Sequence, residues 1–291
     1  MLDIQVNGAG GFDLTEEPES LWRVGTVLAR YGTTAFLPTL VSASWSIVER
    51  AQATLAAGPP AGYAGAEPIG WHVEGPFLSP LRAGAHDPAS LKSPNVAAVE
   101  GWSPATGIRM VTLAPELPAA LDVVRALVAN GVVVSAGHSA ATYDQAIAGF
   151  DAGIRAVTHV FNAMAPLDHR EPGIVGAALV DDRITIGIIP DGLHVHPAVV
   201  RLVRQAVGGD RLVVVTDAIA ALGMPPGIHR LAGRQIDCDE TSARLPNGVL
   251  AGSVLGLDQA VRNLASFAGI DAAEAARAAT IVPRRLLGLQ T

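Results

Sequence analysis

Two histidines at matching positions give this sequence its first chemical signal. His138 follows the apolar β-branched run Val132-Val133-Val134 within Gly137-His138-Ser139, and His159 closes a second run, Ala156-Val157-Thr158. Thr142 to Gly153 between them reads as a helix, so the stretch from 132 to 166 is a strand, helix, strand unit with an imidazole at each strand's exit. Strands buried on both faces read as continuous apolar runs, and in a parallel α/β sheet or barrel their C-terminal ends open onto the functional site. Two imidazoles leaving that rim side by side are placed to share a metal ion. The plainer alternative, each histidine closing its strand with a bond to backbone, explains either one alone. It does not explain an acid and further histidines placed the same way elsewhere.

Ile69 to Pro76 reads as a strand ending on Glu74, Ile184 to Pro190 runs into Asp191-Gly192-Leu193-His194, and Leu212 to Val215 leads into Thr216-Asp217. His86 lies in a long insertion, Phe77 to about Ser103, rich in Pro, Gly and Ala and of the kind that forms lids or binding loops. A zinc-type site takes two histidines and one carboxylate and keeps a position open to water, whose pKa the ion lowers toward ~7. Glu74, His138 and His159 are the expected ligands. Asp217 is then left to take the water's proton and return it to a leaving group.

The elements needed to carry these residues add up to a barrel. Leu2 to Gly8, Ala35 to Leu40, the strand ending on Glu74, Ile108 to Ala114, the two histidine strands, and the runs before Asp191 and Asp217 make eight strands. Helical patterns at 18–31, 44–57, 118–130, 142–153 and 197–207 fall between them, with Gly32 and Gly131 as closing residues. Eight strands with helical connections predict a (β/α)8 TIM-type barrel, an α/β fold that typically takes ~250 residues, as one domain over 1–291. Ile228 to Gly252 reads as a β-hairpin region with Asn247-Gly248 as its turn, followed by helices at 254–268, 271–280 and 283–287.

Composition agrees with a packed core and excludes several partners. With 49% hydrophobic and 16% charged residues and 31 glycines, the chain is not of disordered type and needs many tight turns. Its 20 basic and 27 acidic residues give a formal charge of −7 with no basic run, which argues against nucleic acid. Cys238 is the only cysteine, so a metal must be held by His and carboxylate, and the usage fits a reducing cytoplasm. No stretch approaches the roughly 18 uninterrupted apolar residues of a membrane helix, and Met1 to Gly11 lacks a basic leader, so a soluble cytoplasmic protein without membrane partner is expected.

The motifs His72-Val73-Glu74-Gly75-Pro76-Phe77, Gly84-Ala85-His86, Gly137-His138-Ser139, His159-Val160-Phe161-Asn162-Ala163-Met164, Asp191-Gly192-Leu193-His194, Thr216-Asp217-Ala218 and Leu250-Ala251-Gly252-Ser253 occur in order across nearly the whole chain. This series resembles that of the N-acetylglucosamine-6-phosphate deacetylases, barrels of the amidohydrolase superfamily. The resemblance implies hydrolysis of the acetamide of N-acetylglucosamine 6-phosphate to glucosamine 6-phosphate and acetate. It also implies metal ligation by Glu74, His138 and His159, general base and acid work by Asp217, and polarisation of the acetyl carbonyl by His86. Sugar and phosphate contacts fall on Asn162, Ala163, Arg170 and His194, with backbone help near Ala85 and at Leu250, Ala251 and Gly252, and His86 also counts among the substrate-binding residues. The arginine is expected to reach across the interface of a homodimer. Related readings are a deacetylase for another N-acetylhexosamine phosphate and a non-catalytic barrel that binds phosphosugar.

Two departures from the family matter. Many members carry a His-x-His pair on the first strand for a second metal, where this chain has Gln5 and Asn7. Amides are poor ligands for such ions, so a single divalent ion is expected, zinc first, with iron, cobalt or manganese also compatible. Members also extend beyond the barrel at both ends to build a small β-sandwich, so the chain is expected to be a barrel truncated relative to the family. Of the remaining polar residues, His72 is expected to pack and hydrogen-bond, His169 and His196 to face solvent, Asp191 to orient its loop, and Asp3 to fix the first strand.

Overall fold

The computed structural model describes residues 1–290. Eight parallel strands form the barrel: β1 (Leu2–Val6), β2 (Ala35–Val41), β3 (Trp71–Glu74), β4 (Ile108–Leu113), β5 (Val133–Ala136), β6 (Ala156–Val157), β7 (Thr185–Ile188) and β8 (Leu212–Val214). Each pairs with the next in chain order, as expected from the sequence. The ring closes at a seam between the last and first strands. Asp217 donates its backbone N–H to the Gln5 carbonyl at 3.0 Å, and Asn7 donates to the Ala218 carbonyl at 2.7 Å.

The helices are α1 (Leu21–Leu28), α2 (Trp45–Ala56), α3 (Ala120–Ala129), α4 (Tyr143–Ala152), α5 (Gly173–Val180), α6 (Pro197–Val207), α7 (Leu257–Ala268), α8 (Ala272–Arg277) and α9 (Ile281–Leu286). Local chemistry sets their ends. Thr142 and Gln145 form a reciprocal capping box at the start of α4, and Gly32, at φ 73°, ends the short 3-10 turn after α1 in the left-handed region. His196, expected only to face solvent, also caps α6 by accepting from the Ala198 N–H.

Helix α5 has no counterpart in the sequence reading. Gly173 to Ala178 are all buried, so the helix is apolar on every side and shows none of the one-sided periodicity by which a surface helix is recognised. Between β3 and β4 the chain carries only 3-10 turns, among them Pro80–Arg82 and Pro88–Ser90, in keeping with the expected long insertion.

After β8 the chain makes a small antiparallel sheet of β9 (Gly227–Leu231), β10 (Arg234–Cys238) and β11 (Ala243–Arg244). The expected hairpin is present, but its main turn is Ala232-Gly233, at φ 47° and 80°, and Asn247-Gly248 turns only the short return to Leu250. The reason is tertiary: the Asp13 carboxylate accepts from the Ala232 N–H at 2.6 Å, which holds alanine in a conformation it seldom adopts.

The barrel interior beneath the site is polar. His72 donates from Nδ1 to the Ile4 carbonyl at 3.1 Å and accepts at Nε2 from the Thr112 hydroxyl at 2.7 Å, while Thr158 donates to Gln5 Oε1. Asp3 accepts from the Thr216 hydroxyl at 2.6 Å and so ties β1 to the residue before Asp217. Burial pushes His72 down to about 4, so it is neutral and packed as expected, and pushes the Asp3 carboxyl up to about 7. Trp71 is fully buried and donates to the Ala51 carbonyl at 2.8 Å. Among the described residues no helix is long and apolar enough to cross a membrane.

Candidate metal centre

Glu74 ends β3, and the residues that meet it arrive from the exits of β5 and β6. His138 and His159 both lie in the left-handed region, at φ 48° and 24°, which turns their side chains back over the barrel mouth. Glu74 Oε1 lies 3.2 Å from His138 Nε2 and 3.1 Å from His159 Nε2, and the two imidazole nitrogens are 3.1 Å apart. All three side chains are buried.

This donor set fits a divalent cation. His138 donates its Nδ1 proton to the Arg82 carbonyl at 3.0 Å, which leaves the Nε2 lone pair facing the centre, the usual arrangement of a metal-ligating histidine. His159 Nδ1 is buried with no partner among the described residues, so Nε2 makes that ring's polar contacts, all toward the centre. Burial opposes charge on Glu74, but the bonds and charges of His138 and His159 outweigh it and hold the carboxyl well below its usual range. For His159 burial again opposes charge, and the Glu74 carboxylate prevails and raises its pKa. The arrangement draws positive charge toward one buried carboxylate oxygen.

Asp217 stands beside this centre, also at positive φ, 52°. Its backbone is clamped from both sides: its N–H goes to the Gln5 carbonyl, and its carbonyl accepts from the Ser253 N–H at 2.9 Å. Asn7 donates from Nδ2 to Asp217 Oδ1 at 2.7 Å. Burial, and after it the Glu74 charge, raise the Asp217 pKa, with the Asn7 bond acting the other way. A carboxyl raised in this way holds a proton more readily than a free one, which suits it to accept one from a neighbouring water. Gln5 donates from Nε2 to Glu74 Oε1 at 3.1 Å. Where a His-x-His pair would present lone pairs to a second cation, Gln5 and Asn7 present N–H groups to the two carboxylates.

His86 lies with Nε2 3.9 Å from Glu74 Oε2 and Nδ1 2.7 Å from the Ser42 hydroxyl. Its carbonyl and that of Ala85 accept from Arg234 of β10 at 3.1 and 2.9 Å, so the small sheet holds this loop. Burial, and after it His138, push the His86 pKa down to about 3. His194 is fixed by Asp191, whose carboxylate accepts from His194 Nδ1 at 2.6 Å and from the Leu193 and His194 N–H groups.

These residues line one cavity of about 250 Å³. Glu74, His138, His159, Asp217, Ala85, His86, Asn162, Ala163, His194, Leu250 and Gly252 all face it. Two expected contacts do not. Ala251 is buried behind the wall, its N–H bonded to the Ala243 carbonyl, because alternation along that short extended return points it away from its neighbours' side. Arg170 sits on an exposed loop, bonded through its backbone to Asp168, and does not line the cavity. The sequence reading did not anticipate Asn7, Val41, Leu231 and Val249 as lining residues, or Ser42 behind His86. Apart from Asn7, through the resemblance at β1, these carry no motif that would have marked them.

Residues 26–291 match the amidohydrolase family. The chain is 38% identical to an N-acetylgalactosamine-6-phosphate deacetylase of Escherichia coli O157:H7, over 99% of its own length and 77% of that protein's. It is also 38% identical to an N-acetylglucosamine-6-phosphate deacetylase of Homo sapiens, over 99% and 74%. An N-acetyl-D-glucosamine-6-phosphate deacetylase of Mycobacterium smegmatis, solved as an alanine variant with N-acetyl-D-glucosamine 6-phosphate, superposes with a TM-score of 0.92 at 38% identity, over 99% of this chain and 77% of that one. The corresponding structure from Thermotoga maritima gives 0.91 at 31% identity, over 99% and 77%.

Proposed function

The chain belongs to the amidohydrolase family, and within it to the N-acetylglucosamine-6-phosphate deacetylases; from that premise we propose that it hydrolyses the acetamide of N-acetylglucosamine 6-phosphate to glucosamine 6-phosphate and acetate. The observation that carries this reading is the convergence of Glu74, His138 and His159, whose ligand atoms lie within 4.8 Å of one another, beside Asp217, whose carboxylate is held by Asn7. Glu74, His138 and His159 would hold a single divalent ion, zinc first, with iron, cobalt or manganese also compatible with two imidazoles and a carboxylate. When bound, such an ion makes a nucleophilic water available near neutral pH and stabilises developing negative charge.

The chain's own residues do the rest. Asp217, held by Asn7 and by its clamped backbone, accepts the proton of the attacking water and delivers it to the nitrogen of the departing amine. His86 directs Nε2–H at the acetyl carbonyl oxygen, where charge develops. His194, Asn162, Ala163, Leu250 and Gly252 receive the sugar and its phosphate.

The test is acetate release from N-acetylglucosamine 6-phosphate by protein loaded with zinc, beside elemental analysis of the same sample. The expected result is turnover with one ion per chain. Two ions per chain would remove the single-metal reading, and no acetate from a fully loaded protein would remove the activity. The likeness to the E. coli enzyme supports a second reading, the galactosamine epimer as substrate. Comparing kcat/KM for the two epimers decides between them.

A further inference from the structure

We propose that Ser42 is a positioning residue that sets the tautomer of His86, placing the ring proton on Nε2 so that Nε2–H faces the substrate. The inference rests on the reading of His86 as a donor to the acetyl oxygen. Ser42 stands at the exit of β2, at φ 42°, with its N–H donated to the Glu74 carbonyl at 2.8 Å. Its hydroxyl is 2.7 Å from His86 Nδ1, and both residues are buried, at 7% and 3% exposure. Among the described residues no other acceptor is bonded to this hydroxyl.

A neutral imidazole carries its proton on one nitrogen and a lone pair on the other. A serine O–H with Nδ1 as its acceptor donates there, so the proton sits on Nε2. The opposite tautomer would turn an Nε2 lone pair toward Glu74 Oε2, 3.9 Å away, and toward any carbonyl oxygen in the cavity, which is repulsive in both directions. The approach of Ser42 depends on its neighbour. Gly75, at φ 82°, has no side chain, and a Cβ there would lie 2.7 Å from Ser42 Oγ. The glycine after the ligand Glu74 thus makes room for the hydroxyl that orients His86.

The experiment uses zinc-loaded protein labelled with ¹⁵N at histidine. Long-range ¹H–¹⁵N correlation spectra report which ring nitrogen is protonated, and the His86 signals are identified by their loss in His86→Gln. The wild type is expected to show Nε2–H. Ser42→Ala is expected to shift the His86 population toward Nδ1–H and to lower kcat about tenfold, the effect of losing one oriented hydrogen bond, with KM and zinc content unchanged. Ser42→Cys, nearly isosteric but a weak donor, is expected to fall between the two. An Nδ1–H signal in the wild type overturns the proposal, and so does a fall in kcat in either variant with the tautomer unmoved, or wild-type kcat in Ser42→Ala. If Ser42→Ala does not fold, the wild-type spectrum and Ser42→Cys decide. Nε2–H in the wild type without acetate release would remove the functional reading and leave the role of Ser42 standing.

Discussion

Asp217 is positioned by neighbours that the sequence keeps far apart. Asn7, 210 residues away, holds one carboxylate oxygen, and the Gln5 carbonyl and Ser253 N–H hold the backbone in the left-handed region. Asp217→Asn keeps the size and the ability to bond but cannot carry the proton, so acetate release should fall on the order of 10³-fold with zinc content unchanged, measured by steady-state kinetics and elemental analysis. Full activity in that variant would end the assignment. Glu74, His138, His159 and Asp217 are legible in the sequence because each is a reactive residue type at the end of an apolar run. His72 shares the strand face of Glu74 and is equally reactive on paper, yet its bonds to Ile4 and Thr112 commit both ring nitrogens. Ser42 and Asn7 are not legible in this way, since serine and asparagine acquire a role only from what the fold brings against them.

At the scale of elements, the small sheet after β8 holds the loop that carries His86. Arg234→Ala removes the bonds to the Ala85 and His86 carbonyls, and kcat/KM should drop about tenfold while metal content stays constant, as expected for the loss of about one charged hydrogen bond. An unchanged kcat/KM would show that the loop holds its shape alone. The sheet's own anchor is Asp13, whose carboxyl burial raises from 3.8 to about 6 against the pull of three backbone N–H groups. The folded protein therefore keeps a proton that the unfolded chain has lost across that interval. Stability from this group is greatest below it and declines as pH rises through it, by at most about 1.4 kcal/mol per pH unit. In urea denaturation between roughly pH 4.5 and 7 the stability difference between wild type and Asp13→Asn should decline with that slope up to about pH 6 and then level off, because Asp3 and the other shifted groups act alike in both proteins; parallel profiles would exclude it. The main turn of this sheet escaped the sequence because a tertiary bond, not Asn-Gly chemistry, forms it, and α5 escaped because a helix that is apolar on every side has no amphipathic periodicity.

At the scale of the whole molecule, Ala251 and Arg170 are the expected contacts that do not line the cavity, and the homodimer proposed from the sequence would let Arg170 serve a second copy of the chain. On that proposal the exposed Arg170 would pair with a phosphate bound in a partner's cavity. Arg170→Ala should raise KM for the phosphosugar and leave the metal site intact. Mixing Arg170→Ala with Asp217→Asn protein, each impaired alone, should restore activity beyond the sum of the two, because a hybrid pair regains one whole site. No gain on mixing under conditions of subunit exchange would assign the arginine elsewhere. The sheet order is legible from the alternation of runs and helices, whereas its closure is visible only in space. That closure passes through Asp217, whose N–H is one of the bonds joining the last strand to the first. Hydrolysis is therefore a reporter of completed assembly: during synthesis the amino-terminal strand must wait for residues more than 200 positions later, and no partly wound chain can squander substrate before the circle is whole.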